Sequence, residues 1–184
     1  LGSVIQVIDL VDNNSVDDDF TSLTKIIVSQ QLSGAAANTI ILRVKKVVNS
    51  AVFDPIHFSS IPHQDLRECG ISNAKISYIK GLAELLLREP SYFIDLQHCD
   101  EKEVLKKLCE IRGVGVWSAS IFAIGALGYE NIFPFGDTTL NKSIKIIYGN
   151  KVTIEEIIFK WTPYKSIASR VLWKWFDQGM PELN

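Results

Sequence analysis

One segment of the chain has the residue types and spacing of a loop that could bind a phosphate. Residues 108–123 read LCEIRGVGVWSASIFA, so Gly113-Val114-Gly115 separates two stretches with helical patterning. Two glycines one residue apart permit a tight turn with positive φ, and the amides that begin the second helix then point outward. Such amides, with the helix dipole behind them, suit a DNA phosphate. The pattern is equally typical of a plain turn, whereas a dinucleotide-binding loop lacks the preceding strand and the third glycine.

Asp137 is the residue best placed for chemistry on a sugar. It lies in residues 132–144, IFPFGDTTLNKSI, where proline and glycine precede a helical pattern. One interpretation is an N-cap, the usual role of aspartate at such a position. The other uses the same geometry, because a helix N-terminus keeps a carboxylate ionised. An ionised carboxylate can stabilise an oxocarbenium-like sugar, or orient water, as an N-glycosidic bond breaks. These residues alone leave both interpretations open.

The bulk composition limits the classes to which the chain can belong. Its 184 residues, 47% hydrophobic and 22% charged, are typical of a folded globular domain. The formal net charge of −2 gives no global support for a nucleic-acid partner, so any DNA-binding face must be local. Three cysteines without a CxxC pair disfavour a disulfide framework, a zinc knuckle and an iron–sulfur cluster. Without a long apolar run or a signal pattern, we expect an intracellular protein with no membrane partner.

Helical periodicity dominates the chain and predicts the elements that would position these residues. Acidic residues 17–19 precede an apolar stripe, which is typical of a helix start, and Ser72 is a candidate cap. Strand patterns with hairpin turns are absent, so we predict an all-α architecture of about nine or ten short helices. We predict one helix that begins after residues 17–19 and a loop between Pro55 and Pro62. The other predicted helices span about 34–49, 62–69, 73–88, 100–111, 116–127, 137–148, 153–160 and 163–177.

Five segments taken together resemble the helix-hairpin-helix DNA glycosylase superfamily. LCEIRGVGVWSA followed by FPFGD is similar to the family's hairpin and to its Gly/Pro-rich loop with the aspartate after it. The other three are similar to the 3-methyladenine DNA glycosylase II branch: IIVSQQLSGAAANTIILR at 26–43, LRECGISNAKISYIKGLAELL at 66–86 and WTPYKSIASRVLW at 161–173. The resemblance runs from about residue 20 to residue 177 in the same order, which is far more specific than any single motif.

The resemblance implies roles for individual residues. Asp137 matches the catalytic aspartate, and Trp117 and Trp173 match pocket aromatics that stack on the flipped base, where an indole face favours a cationic alkylpurine. Gln31 matches the side chain that enters the gap left by the extruded nucleotide. Trp117 also stands where bifunctional relatives have a lysine nucleophile. Because an indole cannot form a Schiff base, no lyase activity is expected.

Contacts with DNA and with one metal ion are also expected. The resemblance places the hairpin backbone of Gly113, Val114 and Gly115 against phosphates, and Lys142, Lys165 and Ser166 are further candidates for DNA contacts. Exposed lysines usually only solvate a face, so these two carry little weight alone. The resemblance also matches the carbonyls of Cys109, Ile111 and Val114 to a structural Na⁺ or K⁺ site, and no cofactor is required.

Two positions depart from the family's pattern in the base pocket. Ile121, one helical turn after Trp117, stands where an aromatic residue is expected, and Thr138 follows Asp137. The pocket is therefore less aromatic than the resemblance implies, which leaves the preferred base open.

We expect a single glycosylase unit with two helical lobes around a cleft. One lobe spans 33–130 and contains the hairpin at 108–123, and the other combines 1–32 with 131–184. Asp137 would then lie at the junction of the lobes, facing the cleft.

The expected activity is that of a DNA-3-methyladenine glycosylase II type enzyme in base excision repair. A monofunctional glycosylase of this type flips out an alkylated purine and hydrolyses its N-glycosidic bond, and departure is easy because release neutralises the charge of the base. One alternative is a glycosylase for deaminated bases, hypoxanthine or uracil, which need protonation of the leaving group. Another is a non-catalytic helix-hairpin-helix domain in which Asp137 is only a cap. We expect a monomer that binds damaged double-stranded DNA, in the nucleoid-associated cytoplasm of a bacterium or the nucleus of a eukaryote.

Overall fold

The computed structural model describes residues 1–7, 17–149, 151 and 153–183. Every regular element among these residues is a helix, which confirms the predicted all-α class. The helices are α1 Gly2–Val7, α2 Asp19–Ser29, α3 Gly34–Val48, α4 Pro55–Ser60, α5 His63–Glu68, α6 Asn73–Arg88, α7 Tyr92–Leu96, α8 Glu101–Glu110, α9 Val116–Gly125, α10 Thr138–Tyr148, α11 Ile154–Lys160 and α12 Lys165–Asp177.

Side-chain caps explain where several of the longer helices begin. At Asp18, Ser33, Ser72 and Asp100 the side-chain oxygen accepts a hydrogen bond from the amide three residues later. Each cap satisfies one of the amides that a helix leaves without an internal partner, and loss of such a cap costs about 1 kcal/mol. The helix starts predicted from residues 17–19 and from Ser72 are therefore confirmed.

Three short helices, α1, α4 and α7, are not predicted by the sequence pattern. Each has only five or six residues, too few turns for an apolar period to emerge. The loop predicted between Pro55 and Pro62 is wrong for the residues of α4. A local signal does mark that helix: the Ile56 amide donates to Asp54 Oδ1 at 2.7 Å, and Pro55 occupies the first helical position.

The described residues group into two compact units. We call residues 17–127 the hairpin unit, which contains α2 to α9. In this unit α6 packs against α2, α4 and α5, while α2 also contacts α3 and α9, and α8 packs against α9. The buried side chains at its centre include Leu23, Ile27, Phe58, Ile76, Ile79 and Phe122.

The second unit, which we call the aspartate unit, consists of residues 1–7 together with 128–149, 151 and 153–183. Its helix α12 contacts both α10 and α1. Its core combines one aromatic residue from the segment before α10 with aliphatic and aromatic residues of the helices, among them Val4, Phe133, Leu140, Leu172 and Trp175.

The units divide the chain differently from the predicted lobes. Residues 17–32 belong to the hairpin unit, although the sequence interpretation placed 1–32 with the C-terminal residues. The reason is that α2 buries Phe20, Leu23 and Ile27 in the hairpin unit. Residues 8–16 of the predicted lobe lie outside the described residues, and the predicted cleft stays a prediction. In the described part of the chain, none of the helices combines the length and the apolar stretch needed to cross a bilayer.

Candidate functional site

Asp137 is the N-cap of α10, and donors from α10 and α12 hold its carboxylate. Its Oδ1 accepts a hydrogen bond from the Leu140 amide at 2.9 Å and another from the indole Nε1 of Trp173 at 3.3 Å. The residue is only 8% exposed. The positive end of the helix dipole also faces this position. The carboxylate is therefore fixed in one orientation at a helix N-terminus, which suits a group that must present negative charge to a reacting centre.

A tight turn leads into Asp137. The Phe135 amide donates to the Phe133 carbonyl at 3.0 Å, and the Asp137 amide donates to the Pro134 carbonyl at 3.1 Å. Gly136 adopts a φ of +85°, in the left-handed region that a side chain disfavours. The sequence FPFGD thus forms a compact backbone turn that positions the carboxylate.

Ser166 braces the same segment from α12. Its hydroxyl donates to the Ile132 carbonyl and accepts from the Ile132 amide, both at 3.0 Å, and its own amide donates to the Glu130 carbonyl at 2.9 Å. Ser166 is 2% exposed. Both of its polar groups are engaged inside the protein, which argues against the predicted contact with DNA and gives Ser166 a structural task instead.

Trp173 lies seven residues after Ser166 on α12, so the two side chains share one face of that helix. Trp173 is half-buried and its Nε1 contacts Asp137. The sequence assigned it only a stacking role. In the structure, one helix braces the turn with Ser166 and orients the carboxylate with Trp173.

The predicted hairpin connects α8 to α9 through residues 111–115. The Val114 amide donates to the Ile111 carbonyl at 3.0 Å, which closes the loop. Gly113 has a φ of +88°, and a Cβ atom there would lie 2.1 Å from Cδ2 of Tyr78. Any side chain at Gly113 would therefore meet both backbone strain and a collision with a ring.

Gly115 is the N-cap residue of α9 and provides no side-chain cap. Its φ of −93° and ψ of 174° are extended, and the residue that follows, Val116, is 59% exposed. A glycine at this position contributes no oxygen to the first amides of the helix. The N-terminus of α9 is therefore of the type that binds an external anion.

Gln30 supports the hairpin loop, a task that the sequence did not predict. Its Nε2 donates to the Gly113 carbonyl at 2.9 Å and to the Ser118 hydroxyl at 3.0 Å. The Lys75 ammonium donates in turn to the carbonyls of Gln30 and Val28, at 2.7 and 2.8 Å. Burial lowers the pKa of Lys75. The hairpin loop is thus fastened to the end of α2, and only the neighbouring glutamines in the sequence hinted at this.

Gln31, the predicted wedge, directly follows this anchored residue. It is exposed and adopts a φ of +57°, which is uncommon for a residue with a side chain. Such conformations concentrate at functional sites, where the surrounding structure enforces them. Gln31 follows Gln30 directly, and the side chain and the carbonyl of Gln30 are both hydrogen-bonded.

Two predicted pocket residues, Trp117 and Ile121, lie four residues apart on α9 and share one face of it. Trp117 is 36% exposed, and Ile121 is half-buried. The other two, Trp173 and Thr138, belong to the aspartate unit, where Thr138 is exposed at the first position of α10.

The predicted phosphate contacts Lys142 and Lys165 differ in their surroundings. Lys142 is exposed on α10, and its ammonium lies 5.3 Å from the centre of the Phe176 ring. Lys165 is the half-buried first residue of α12. An open surface pocket of about 550 Å³ lies along α10, lined by Thr138, Asn141, Lys142, Lys145 and Ile146. A basic pocket of this kind is compatible with a phosphate.

The predicted cation site rests on three backbone carbonyls of the hairpin. The Ile111 carbonyl already accepts the Val114 amide, but a carbonyl oxygen has two lone pairs and retains capacity for an ion. Among the described residues no group of three or more His, Cys, Asp or Glu side chains could hold a metal. Oxygen donors suit a hard cation, so the loop fits Na⁺ or K⁺, and the site stays a prediction.

The sequence of this chain is similar to those of known proteins. The family model for the HhH-GPD superfamily base excision DNA repair protein matches residues 24–163. DNA-3-methyladenine glycosylase 1 of Schizosaccharomyces pombe is 25% identical over 167 residues, which cover 85% of this chain and 72% of the relative. The matched residues include the hairpin, the turn before α10 and Asp137.

Solved structures show the same fold. The crystal structure of DNA-3-methyladenine glycosidase from Bacillus halodurans matches with a TM-score of 0.77 and 30% identity, over 98% of this chain and 88% of that chain. The S. pombe 3-methyladenine DNA glycosylase in complex with abasic DNA matches with a TM-score of 0.79 and 23% identity, over 94% of this chain and 88% of that chain. Because the identity with the S. pombe structure is only 23%, that match shows a shared fold alone.

Proposed function

Because the chain belongs to the HhH-GPD superfamily of base excision DNA repair proteins, we propose that it is a DNA glycosylase for alkylated purines. The relatives named DNA-3-methyladenine glycosylase support this substrate class. The observation that carries the proposal is the buried carboxylate of Asp137, fixed at the N-terminus of α10 by the Leu140 amide and the Trp173 indole. The indole N–H from α12 fixes the orientation of this carboxylate more closely than the helix cap alone does.

The proposed reaction breaks the bond between C1′ of the sugar and a ring nitrogen of the purine. The electron pair of that bond leaves with the base, and positive charge develops on the sugar. Asp137 stabilises this charge and orients the water that attacks C1′, which leaves an abasic site. An N3- or N7-alkylated purine is already cationic, so it departs without protonation by the enzyme.

The remaining residues bind and hold the substrate in this proposal. The amides at the start of α9 receive a phosphate, and Gln31 enters the gap left by the flipped nucleotide. Trp117 and Trp173 offer indole faces to the cationic base, an attraction of roughly 0.5–2 kcal/mol. A Na⁺ or K⁺ ion on the carbonyls of Cys109, Ile111 and Val114 would hold the hairpin loop in its binding conformation.

We also propose that the enzyme is monofunctional. Strand cleavage by β-elimination requires an amine that forms a Schiff base with the sugar. The resemblance places Trp117 where bifunctional relatives have that lysine, and its indole has no such amine. Incubation with borohydride and damaged DNA should therefore trap no covalent complex, and the product should be an intact strand with an abasic site.

The central test is a base-release profile on duplex DNA that scores 3-methyladenine, 7-methylguanine and hypoxanthine. The wild type should release the methylated purines fastest. Asp137→Asn keeps a residue that caps well but removes the charge, so release should fall by about 10²- to 10³-fold while DNA binding persists. Asp177→Asn, the same change at an exposed position of the aspartate unit, is the matched control and should remain active.

Two results would redirect the proposal. Faster release of hypoxanthine than of the methylated purines would assign the enzyme to deaminated bases. If the wild type binds DNA but releases none of the three bases, the chain is a non-catalytic DNA-binding domain and Asp137 serves only as a cap.

A further inference from the structure

Phe135 is an exposed aromatic residue two positions before the proposed catalytic carboxylate. It is 53% exposed, whereas Asp137 is buried and Phe133, two residues earlier, is 5% exposed. A single exposed apolar residue is ordinary on a protein surface. Phe135 differs from such a residue because its ring is supported by a neighbouring ring and because it lies in the turn that leads into Asp137.

The turn that carries Phe135 is constrained on both sides. Its amide is bonded to the Phe133 carbonyl, and the Asp137 amide closes the turn on the Pro134 carbonyl. Pro134 is buried, and Gly136 takes the left-handed conformation that reverses the chain. The backbone at Phe135 is therefore held by the bond of its own amide and by the bond that closes the turn between Pro134 and Asp137.

The ring of Phe135 is supported at one side and open elsewhere. It meets the Phe133 ring edge-on, with centroids 5.2 Å apart and planes at 79°. Phe133 in turn packs against Trp161, with centroids 6.1 Å apart, in the core of the aspartate unit. An edge-on contact supports the ring while it leaves area for another planar partner.

We infer that Phe135 is a specificity-determining residue that stacks on the damaged purine. This inference rests on the proposed function and deepens it. A phenyl face stacks on nucleobases and attracts a cationic ring more strongly than a neutral one. Ile121 and Thr138 leave the predicted pocket less aromatic than the family's pattern, and Phe135 supplies an aromatic ring two residues before the reacting carboxylate.

The test uses single-turnover release of 7-methylguanine, a cationic base, and hypoxanthine, a neutral base, from otherwise identical duplexes. Phe135→Ala should slow 7-methylguanine release about tenfold and hypoxanthine release by a clearly smaller factor. Phe135→Leu keeps most of the apolar volume but has no π face, so it should behave as the alanine variant does. Phe135→Tyr keeps the ring and should stay within about twofold of the wild type.

Phe159 provides the matched control. It is a phenylalanine of the same unit, lies on α11 and is 79% exposed. Phe159→Ala removes the same side chain and should leave both release rates and DNA affinity unchanged. Affinity for a duplex with a tetrahydrofuran abasic site should also be unchanged in Phe135→Ala, because that duplex has no base to stack.

A binding readout keeps this inference separate from the proposed function. A 2-aminopurine at the target position loses fluorescence when it stacks on an aromatic ring, so the complex with Phe135→Ala or Phe135→Leu should be brighter than that with the wild type. If the wild type releases neither base, the proposed function fails, and this fluorescence still decides the role of Phe135. Equal fluorescence and equal rates in wild type and Phe135→Ala would overturn the inference, as would a parallel loss of affinity for the abasic duplex.

Discussion

The N-termini of α10 and α9 show two uses of the same physical feature. Both helices follow a turn with a glycine at positive φ, Gly136 before α10 and Gly113 before α9. At α10 the cap is Asp137, whose carboxylate accepts from the first turn of its own helix. At α9 the cap is Gly115, which has no side chain to offer.

The difference lies in where the negative charge comes from. The dipole and the first amides of a helix N-terminus attract an anion in either case. At α10 the anion is the protein's own Asp137 carboxylate, so its negative charge has a fixed position and can act on a substrate. At α9 the Gly115 cap has no side chain, so a phosphate of the ligand can supply the negative charge at the helix N-terminus. The residue at the cap therefore distinguishes the N-terminus of α10, with its proposed catalytic role, from the N-terminus of α9, with its proposed role in phosphate binding.

The largest effect on DNA binding is expected when α9 receives an acidic cap like that of α10. Gly115 has an extended φ, and nothing lies within 4 Å of a Cβ atom built there, so Gly115→Asp should fold. Its carboxylate would meet the DNA phosphate, and the affinity for an abasic duplex should fall about 30-fold. Fluorescence anisotropy at several salt concentrations measures this effect.

Gly115→Ala is the control for the Gly115 substitution, because it adds a side chain without charge and should change the affinity little. Urea unfolding should show that Gly115→Asp is no less stable than the wild type. Unchanged DNA affinity in Gly115→Asp would mean that the phosphate contact lies elsewhere.

A smaller effect is expected from Gln30→Glu, which alters the support of the hairpin rather than its cap. The carboxylate would replace an amide that donates to the Gly113 carbonyl and the Ser118 hydroxyl, and it would repel the carbonyl. We expect a loss of about 2 kcal/mol in unfolding free energy and about a tenfold weaker affinity for DNA. Gln97→Glu makes the same change at an exposed residue of the hairpin unit and should have neither effect.

Trp173→Phe examines the second donor that distinguishes Asp137 from a simple cap. The substitution keeps an aromatic ring but removes the indole N–H that reaches Oδ1. A hydrogen bond to a charged group is worth about 1.5–3 kcal/mol, so base release should slow at least about tenfold while affinity for an abasic duplex holds. In Trp175→Phe the lost bond goes to the Pro181 carbonyl, and stability rather than the release rate should fall. Equal rates in Trp173→Phe and the wild type would show that Asp137 needs no orientation from α12.

The smallest effect is expected at α11, to whose N-terminus we assign a structural task only. Thr153 and Glu156 form a capping box there, with hydrogen bonds of 3.0 and 3.2 Å. Thr153→Ala should reduce the unfolding free energy by about 1 kcal/mol and leave base release and DNA affinity unchanged. A change in either activity would contradict the view that this cap, unlike Asp137, does no chemistry.

The same box predicts a small pH dependence. Hydrogen bonds from Thr153, the backbone amide first, lower the pKa of Glu156 in the folded protein. Its stabilisation is therefore present above the pKa of an unfolded glutamate and is lost as the pH falls through the folded pKa. Thermal unfolding of wild type and Glu156→Gln at descending pH should show this loss in the wild type alone.

Much of the fold follows from the sequence because its signals are local. Caps such as Ser72, apolar periods and glycine breaks act within a few residues, and they predict the long helices. Short helices such as α4 contain too few turns for a period, although Asp54 and Pro55 mark its start. The place of α2 was also not predictable, because an apolar stripe shows that a helix is buried but not which helices it packs against.

The sequence by itself determined the chemical groups of this protein: a carboxylate at Asp137 after a Gly/Pro turn, a Gly-Val-Gly hairpin and indoles at Trp117 and Trp173. Only the tertiary structure decided how those groups are held. Gln30 reaches Gly113 across 83 residues, and Trp173 reaches Asp137 across 36. Ser166 proved to be a brace for the turn before Asp137. Such contacts depend on side chains from distant helices that meet on packing, and no local period or spacing records that meeting.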